Sequence, residues 1–252
     1  MLLATKASDR MLKCRLKGSR RGGTSQDLSL RALRRKAHRA TMKLREVYGT
    51  PDLGNKRDPL DELVFIVLSQ MTTGPSFSRV FDRLKEAASW ETVLEARLPR
   101  LKALIRDAGL SGQKAPRIRA ILRKIKRDFG EVRLDAIRGW PDDEVTRYLT
   151  SLPGVGVKSA KCVMMYSLGR EVLPVDTHVW RVARRLGLVD PAVPYSRIHD
   201  TLERVVPKAD RYAFHVNAVV HGRRRCFALR PRCQGCPLGR MSIYARAAHS
   251  LS

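Results

Sequence analysis

From Leu30 to Val206 the apolar residues return every third or fourth position, and no convincing stretch alternates as a half-buried strand would. Leu30, Leu33, Ala37, Ala40, Leu44 and Val47 fall on one helix face, Leu60, Leu63, Val64, Val67 and Leu68 on another, and Phe77, Val80, Phe81 and Leu84 on a third. The spacing recurs in Leu98, Leu101, Leu104, Ile105 and Ala108, in Ile118, Ile121, Leu122 and Ile125, and in Val145, Tyr148, Leu149 and Leu152. It returns in Val179, Val182, Ala183 and Leu186, then in Ile198, Leu202, Val205 and Val206. A chain patterned this way has to bury helix against helix, so the fold class is all-α. Its 252 residues, 43% of them hydrophobic, allow one large domain or two small ones.

Charge narrows what such a fold would bind. Fifty Lys and Arg against twenty-four Asp and Glu leave a net +26. So large a charge of one sign repels itself unless a polyanion is the usual partner, and nucleic acid is the obvious one; a merely solvated basic surface is the alternative. Residues 1–28 lack an apolar period and are rich in Gly, Ser and Arg, as expected of a flexible basic tail. With the helix that follows, residues 1–46 carry fourteen Lys and Arg against three Asp and Glu, a charge that either adds salt-sensitive affinity for DNA phosphates or is simply solvated. No apolar run is long enough to span a membrane, and Lys6 and Asp9 interrupt the start too soon for a secretory signal. The expected setting is cytoplasmic and nucleoid-associated, without a membrane partner.

The stretch Leu152–Lys161, LPGVGVKSAK, carries the first chemistry. Pro153 stops one helix, Gly154 and Gly156 permit a tight turn, and Val157 begins the next helix. Without Cβ atoms the glycines let backbone N–H groups approach a phosphate, and the new helix offers its positive N-terminal end. Lys158 lies in the first turn of that helix. Its face, Lys158, Cys162 and Met165, differs from the face expected to pack, Ala160, Val163 and Met164, so Lys158 is expected to point outward. It reads either as one more phosphate contact or as an amine nucleophile that attacks a sugar C1′ and forms a Schiff base, for which its pKa would have to be lowered. Asp176 follows eighteen residues later. It is a good N-cap for the helix with Val179 and Val182, and its carboxylate is also suited to stabilising developing oxocarbenium charge. The two roles are compatible.

Five cysteines, Cys14, Cys162, Cys226, Cys233 and Cys236, place three within eleven residues, which reads as metal ligation in a reducing compartment and not as a disulfide framework.

Three segments in order, LPGVGVKSAKCV, VDTHVWRVARRLGL and HGRRRCFALRPRCQGCP, closely resemble the endonuclease III family of DNA glycosylase/AP lyases in the helix-hairpin-helix superfamily. The resemblance runs from about residue 30 to about residue 245. It implies two helical domains flanking a DNA-binding cleft: a six-helix barrel at 53–170, and a cysteine-cluster domain combining 29–52 with 171–246. It implies that Lys158 is the Schiff-base nucleophile and Asp176 the catalytic carboxylate, acting on an oxidised pyrimidine flipped from duplex DNA, followed by strand nicking through β-elimination. The segment GLSGQKAPRI resembles the family's intruding loop, with Leu110 as the wedge; a lone loop leucine is otherwise a core anchor. In VLSQMTTGPSFS the family's gap-filling glutamine is replaced by Met71, with Gln70 one position early, and Gly74 stands where an aspartate is common. Methionine offers no directional amide hydrogen bond to the opposite base.

The family holds a [4Fe-4S] cluster with four cysteines in a C-x6-C-x2-C-x5-C pattern. Here Cys226, Cys233 and Cys236 match the first three, and Ser242 stands fourth. Three outcomes stay open: a cluster with a non-cysteine fourth ligand, a zinc site recruiting a histidine such as His221, or no metal. Arg230 and Arg232 match the family's DNA-facing loop, or are solvated. The expected molecule is a monomeric bifunctional DNA N-glycosylase/AP lyase of base excision repair. The alternatives are a monofunctional mismatch or adenine glycosylase and a non-catalytic DNA-binding protein.

Overall fold

The computed structural model describes residues 30–72 and 76–249. The basic tail expected over residues 1–28, with Cys14, and Gly74 lie outside them. The helices, in chain order, are α1 (Leu30–Tyr48), α2 (Pro59–Ser69), α3 (Ser76–Ala87), α4 (Trp90–Glu95), α5 (Leu98–Leu104), α6 (Ser111–Phe129), α7 (Asp142–Thr150), α8 (Val157–Tyr166), α9 (Thr177–Leu186), α10 (Ile198–Val205), α11 (Arg211–Arg224) and α12 (Ile243–His249). Short 3-10 turns join several of them, and no strand occurs among the described residues, so the fold is all-α.

The chain divides into two compact units, one formed by residues 52–174 and the other by the described residues up to 51 with those from 175 onward. In the central unit α2 is buried along nearly its whole length, and α3, α6 and α8 pack against it. Asp58 starts α2, its side chain accepting from the N–H groups of Leu60 and Asp61, and Pro59 fills the first helical position, where its missing N–H costs nothing. Leu63, Leu101, Ile118, Leu122, Leu149 and Met164 fill the core, each fully buried. Removing any one of these leucine side chains would cost about 2–5 kcal/mol.

In the terminal unit α11 lies against both α1 and α9. Ala37, Ala40 and Leu44 form the buried stripe of α1 as the periodicity requires, but Leu30 and Val47, at its two ends, are exposed where the helix overhangs its neighbours. Leu104 departs likewise, standing exposed at the end of α5. The larger departure is at α8. Cys162 and Met165, expected on an outward face, are buried together with Ala160, Val163 and Met164, because α2 and α7 flank this helix.

Candidate functional site

The turn between α7 and α8 is anchored by buried Leu152 and Val155, and the Val155 N–H donates to Leu152 O at 3.1 Å. The two glycines do different work. Gly154 has φ +72°, and a side chain there would collide with the guanidinium of Arg117. Gly156 has an ordinary φ of −92° and nothing within 4 Å of where a Cβ would stand. Neither backbone conformation nor internal packing requires glycine at 156; what its bare Cα leaves is open approach to the start of α8. That helix begins at Gly156 without a side-chain cap, so its first N–H groups and the positive end of its dipole are presented at the turn. Lys158 is partly exposed in this first turn. Its access comes from its place at the helix end, since the rest of the helix is enclosed.

Two loops of the same unit carry exposed apolar side chains in left-handed backbone conformations. Met71, just past α2, has φ +52° and is 88% exposed, and Leu110, just before α6, has φ +49° and is 45% exposed. Gln70 is half-buried, and its Oε1 accepts from Arg117 Nη1 at 2.7 Å. The loop therefore presents Met71 outward and ties Gln70 inward. Sequence reasoning passed over the two cations on α6 that hold these loops, Arg117 and Lys114. Lys114 is 2% exposed, and it stands four residues before Ile118 in the core register, which was the signal available.

In the terminal unit Asp176 is the N-cap of α9, Oδ1 accepting from the N–H groups of His178 at 2.9 Å and Val179 at 2.8 Å. The cap uses one carboxylate oxygen only. Further along α9, Arg181 and Arg185 hold the segment after α11 by its carbonyls. Arg181 Nε donates to Cys226 O at 2.7 Å, while Arg185 donates to Phe227 O at 2.7 Å and Ala228 O at 3.0 Å. Arg185 Nη1 also lies 3.1 Å from Cys226 Sγ. Cys236 Sγ is 3.6 Å from His221 Nε2, whose Nδ1 is 3.0 Å from the Tyr48 hydroxyl. Burial, with Arg225 and Arg181 beside it, lowers the His221 pKa to about 4, and burial raises the Cys233 and Cys236 thiols. Arg230 is exposed with φ +48°, and the Arg232 guanidinium lies 5.4 Å from the Phe227 ring centroid.

The family model for HhH-GPD superfamily base excision DNA repair proteins matches residues 64–208. The chain belongs to this superfamily. Endonuclease III of Bacillus subtilis is 35% identical over 186 residues, 72% of this chain and 79% of that one. An Arabidopsis thaliana relative is 36% identical over 163 residues, 64% of this chain and 55% of its own length. The chain thus spans about half of that relative, and about a tenth of the rice relatives Protein ROS1C and Protein ROS1A. Among solved structures, a trapped endonuclease III–DNA covalent intermediate superimposes with a TM-score of 0.74 at 27% identity, covering 86% of this chain and 98% of that one.

Within this HhH-GPD chain, the non-glycine residues of positive φ among the described residues are Met71, Leu110 and Arg230. The family resemblance implies DNA contact for all three, with a core anchor as the alternative for Leu110 and a solvated side chain for Arg230. Such conformations cost about 1–3 kcal/mol each and gather where function holds them. The cysteine segment departs from an intact four-cysteine cluster site. Ser242 is buried, its hydroxyl donating to Arg185 O at 2.9 Å and accepting from Ala245 N–H at 3.1 Å, so the oxygen in the fourth-ligand position is committed to the backbone. His221, Cys226, Cys233, Cys236 and Ser242 line one cavity. Among the described residues no three of His, Cys, Asp and Glu stand together as metal ligands.

Proposed function

We propose that this chain is a bifunctional DNA N-glycosylase/AP lyase acting on oxidised pyrimidines in duplex DNA. The observation that carries the reading is Lys158 in the opening turn of α8, behind a glycine turn whose backbone is open to a phosphate. The N–H groups of the turn grip the strand without reading bases. Lys158 Nζ attacks C1′ as the bond from C1′ to the base breaks, and the electron pair of that bond leaves with the base, which takes up a proton. Opening of the sugar ring gives the Schiff base. Loss of a C2′ proton then expels the 3′ phosphate, and water releases the lysine. Asp176, an anion at the start of α9, supplies negative charge for the oxocarbenium character that develops at C1′. Met71 and Leu110 are the apolar groups suited to the gap left by an extruded base. Methionine fills that space without an amide pattern, so discrimination among opposite bases should be weak.

Cys226, Cys233 and Cys236 are read as three positions of an incomplete ligand set, in a segment that Arg181 and Arg185 already brace. No step of the reaction passes through it.

Borohydride reduction on an abasic-site duplex tests the reading. A covalent protein–DNA band is expected with the parent and absent with Lys158→Ala. Base release without strand cleavage would instead identify a monofunctional glycosylase, and a gel shift with neither would identify a binder.

A further inference from the structure

Lys114 is among the most completely buried large side chains of the protein, and the proposed chemistry does not use it. Its ammonium makes three hydrogen bonds, to Leu68 O at 2.6 Å, Thr72 Oγ1 at 2.6 Å and Ala108 O at 2.8 Å. Those are all the donors an ammonium has. The Thr72 hydroxyl in turn donates to Ala108 O at 2.6 Å, which closes a ring of three groups. Leu68 belongs to the last turn of α2, where carbonyls lack helical partners and a cation is favoured. Thr72 directly follows Met71, and Ala108 lies two residues before Leu110. One buried charge thus ties together the two segments that display exposed apolar side chains at positive φ. Burial lowers its pKa to about 8, so the ammonium form still predominates at neutral pH.

Resting on the DNA-facing role proposed above, we infer that Lys114 is a positioning residue that couples the Met71 and Leu110 loops so that both side chains enter the duplex as one wedge. A core position of this size would be filled more cheaply by leucine or methionine, since the desolvation of a lone ammonium is offset only by good geometry. What the charge adds is direction. Its three acceptors come from the end of α2, from the Met71 loop and from the turn before α6, which a methionine would pack against without orienting. Arg117, one turn further along α6, extends the arrangement by bonding Gln70 and covering Gly154.

The test reads wedge insertion without requiring chemistry. A duplex carrying 2-aminopurine opposite a tetrahydrofuran abasic analogue is saturated with the parent, Lys114→Met or Thr72→Val, and fluorescence reports loss of stacking. The parent should raise the signal. Lys114→Met should leave it near that of the free duplex, and Thr72→Val should lie between, while affinity for undamaged duplex and its salt dependence stay unchanged. A variant signal equal to the parent's, or a loss that tracks lost affinity for undamaged DNA, overturns the inference; if Lys114→Met does not fold, Thr72→Val decides on the same criteria. Because the abasic analogue cannot be cleaved, a parent that inserts its wedge but forms no borohydride adduct with true abasic DNA would defeat the lyase reading and leave this one standing.

Discussion

Gly154 and Gly156 stand two residues apart and should respond in opposite ways to alanine. At Gly154 a methyl group meets Arg117 and the backbone needs φ +72°, so Gly154→Ala is expected to destabilise the protein by about 1 kcal/mol or more, measured by urea unfolding. At Gly156 neither obstacle exists. Gly156→Ala should leave stability within about 0.5 kcal/mol of the parent and instead weaken DNA binding, because the methyl group occupies the approach to a phosphate. Equal DNA affinity in parent and Gly156→Ala would place the phosphate elsewhere. Ser242 offers a second paired outcome. Ser242→Cys removes the cap of α12 and should cost about 1 kcal/mol, yet it restores the fourth cysteine of the family pattern and should raise the iron bound per chain in metal analysis. The sequence made both glycines and the missing cysteine legible. It did not disclose that the Ser242 hydroxyl is already used, because the carbonyl it bonds, Arg185 O, is 57 residues away. Lys114 was legible in principle as a lysine in a leucine-type register, but only its three acceptors show why it is there.

At the scale of elements, apolar periodicity located the helices well and their exposed faces less well. It failed at α8, where a helix flanked by α2 and α7 has little solvent face, and periodicity cannot separate one packed side from two. The same enclosure acts on Glu62 of α2. This carboxyl is fully buried, accepts from Asn55 Nδ2 at 2.5 Å and from Lys56 N–H at 2.7 Å, and has its pKa raised by burial from 4.5 to about 7. Between those two values Glu62 holds its proton in the folded state more than in the unfolded one, so its contribution to stability should fall as pH rises from about 4.5 to about 7. The loss is of the order of 1–3 kcal/mol. His221, whose lowered pKa acts in the opposite sense over much of that range, is common to parent and variant, so the unfolding free energy of the parent minus that of Glu62→Gln should decline across it, whatever the variant's absolute stability. A difference that stays level or rises through the window would mean that Glu62 is not protonated in the fold.

For the whole molecule the governing quantity is the net +26, which internal ion pairs cannot neutralise, since twenty-four acidic residues stand against fifty basic ones. Such a chain should bind undamaged duplex with an affinity that falls steeply and log-linearly with salt, by a slope of about 0.9 for each phosphate neutralised. The slope can be divided by origin. Arg230 is exposed at positive φ on a segment braced by Arg181 and Arg185, so the backbone that carries it needs little ordering on binding, and Arg230→Ala should lower the slope by about one on any DNA sequence. Residues 1–29 carry seven Lys and Arg against two Asp and Glu. Removing them should lower the slope by several if the segment lies along the backbone, and leave it unchanged if those charges are only solvated, the two readings that composition leaves open. Either result should spare borohydride trapping at low salt, because on the proposed reading phosphate contacts only hold the chain on DNA, and the action on the lesion belongs to Lys158, Asp176 and the paired loops. If trapping were lost with the tail even when DNA is saturated, the tail would belong to the reactive site and the division between grip and chemistry would be wrong.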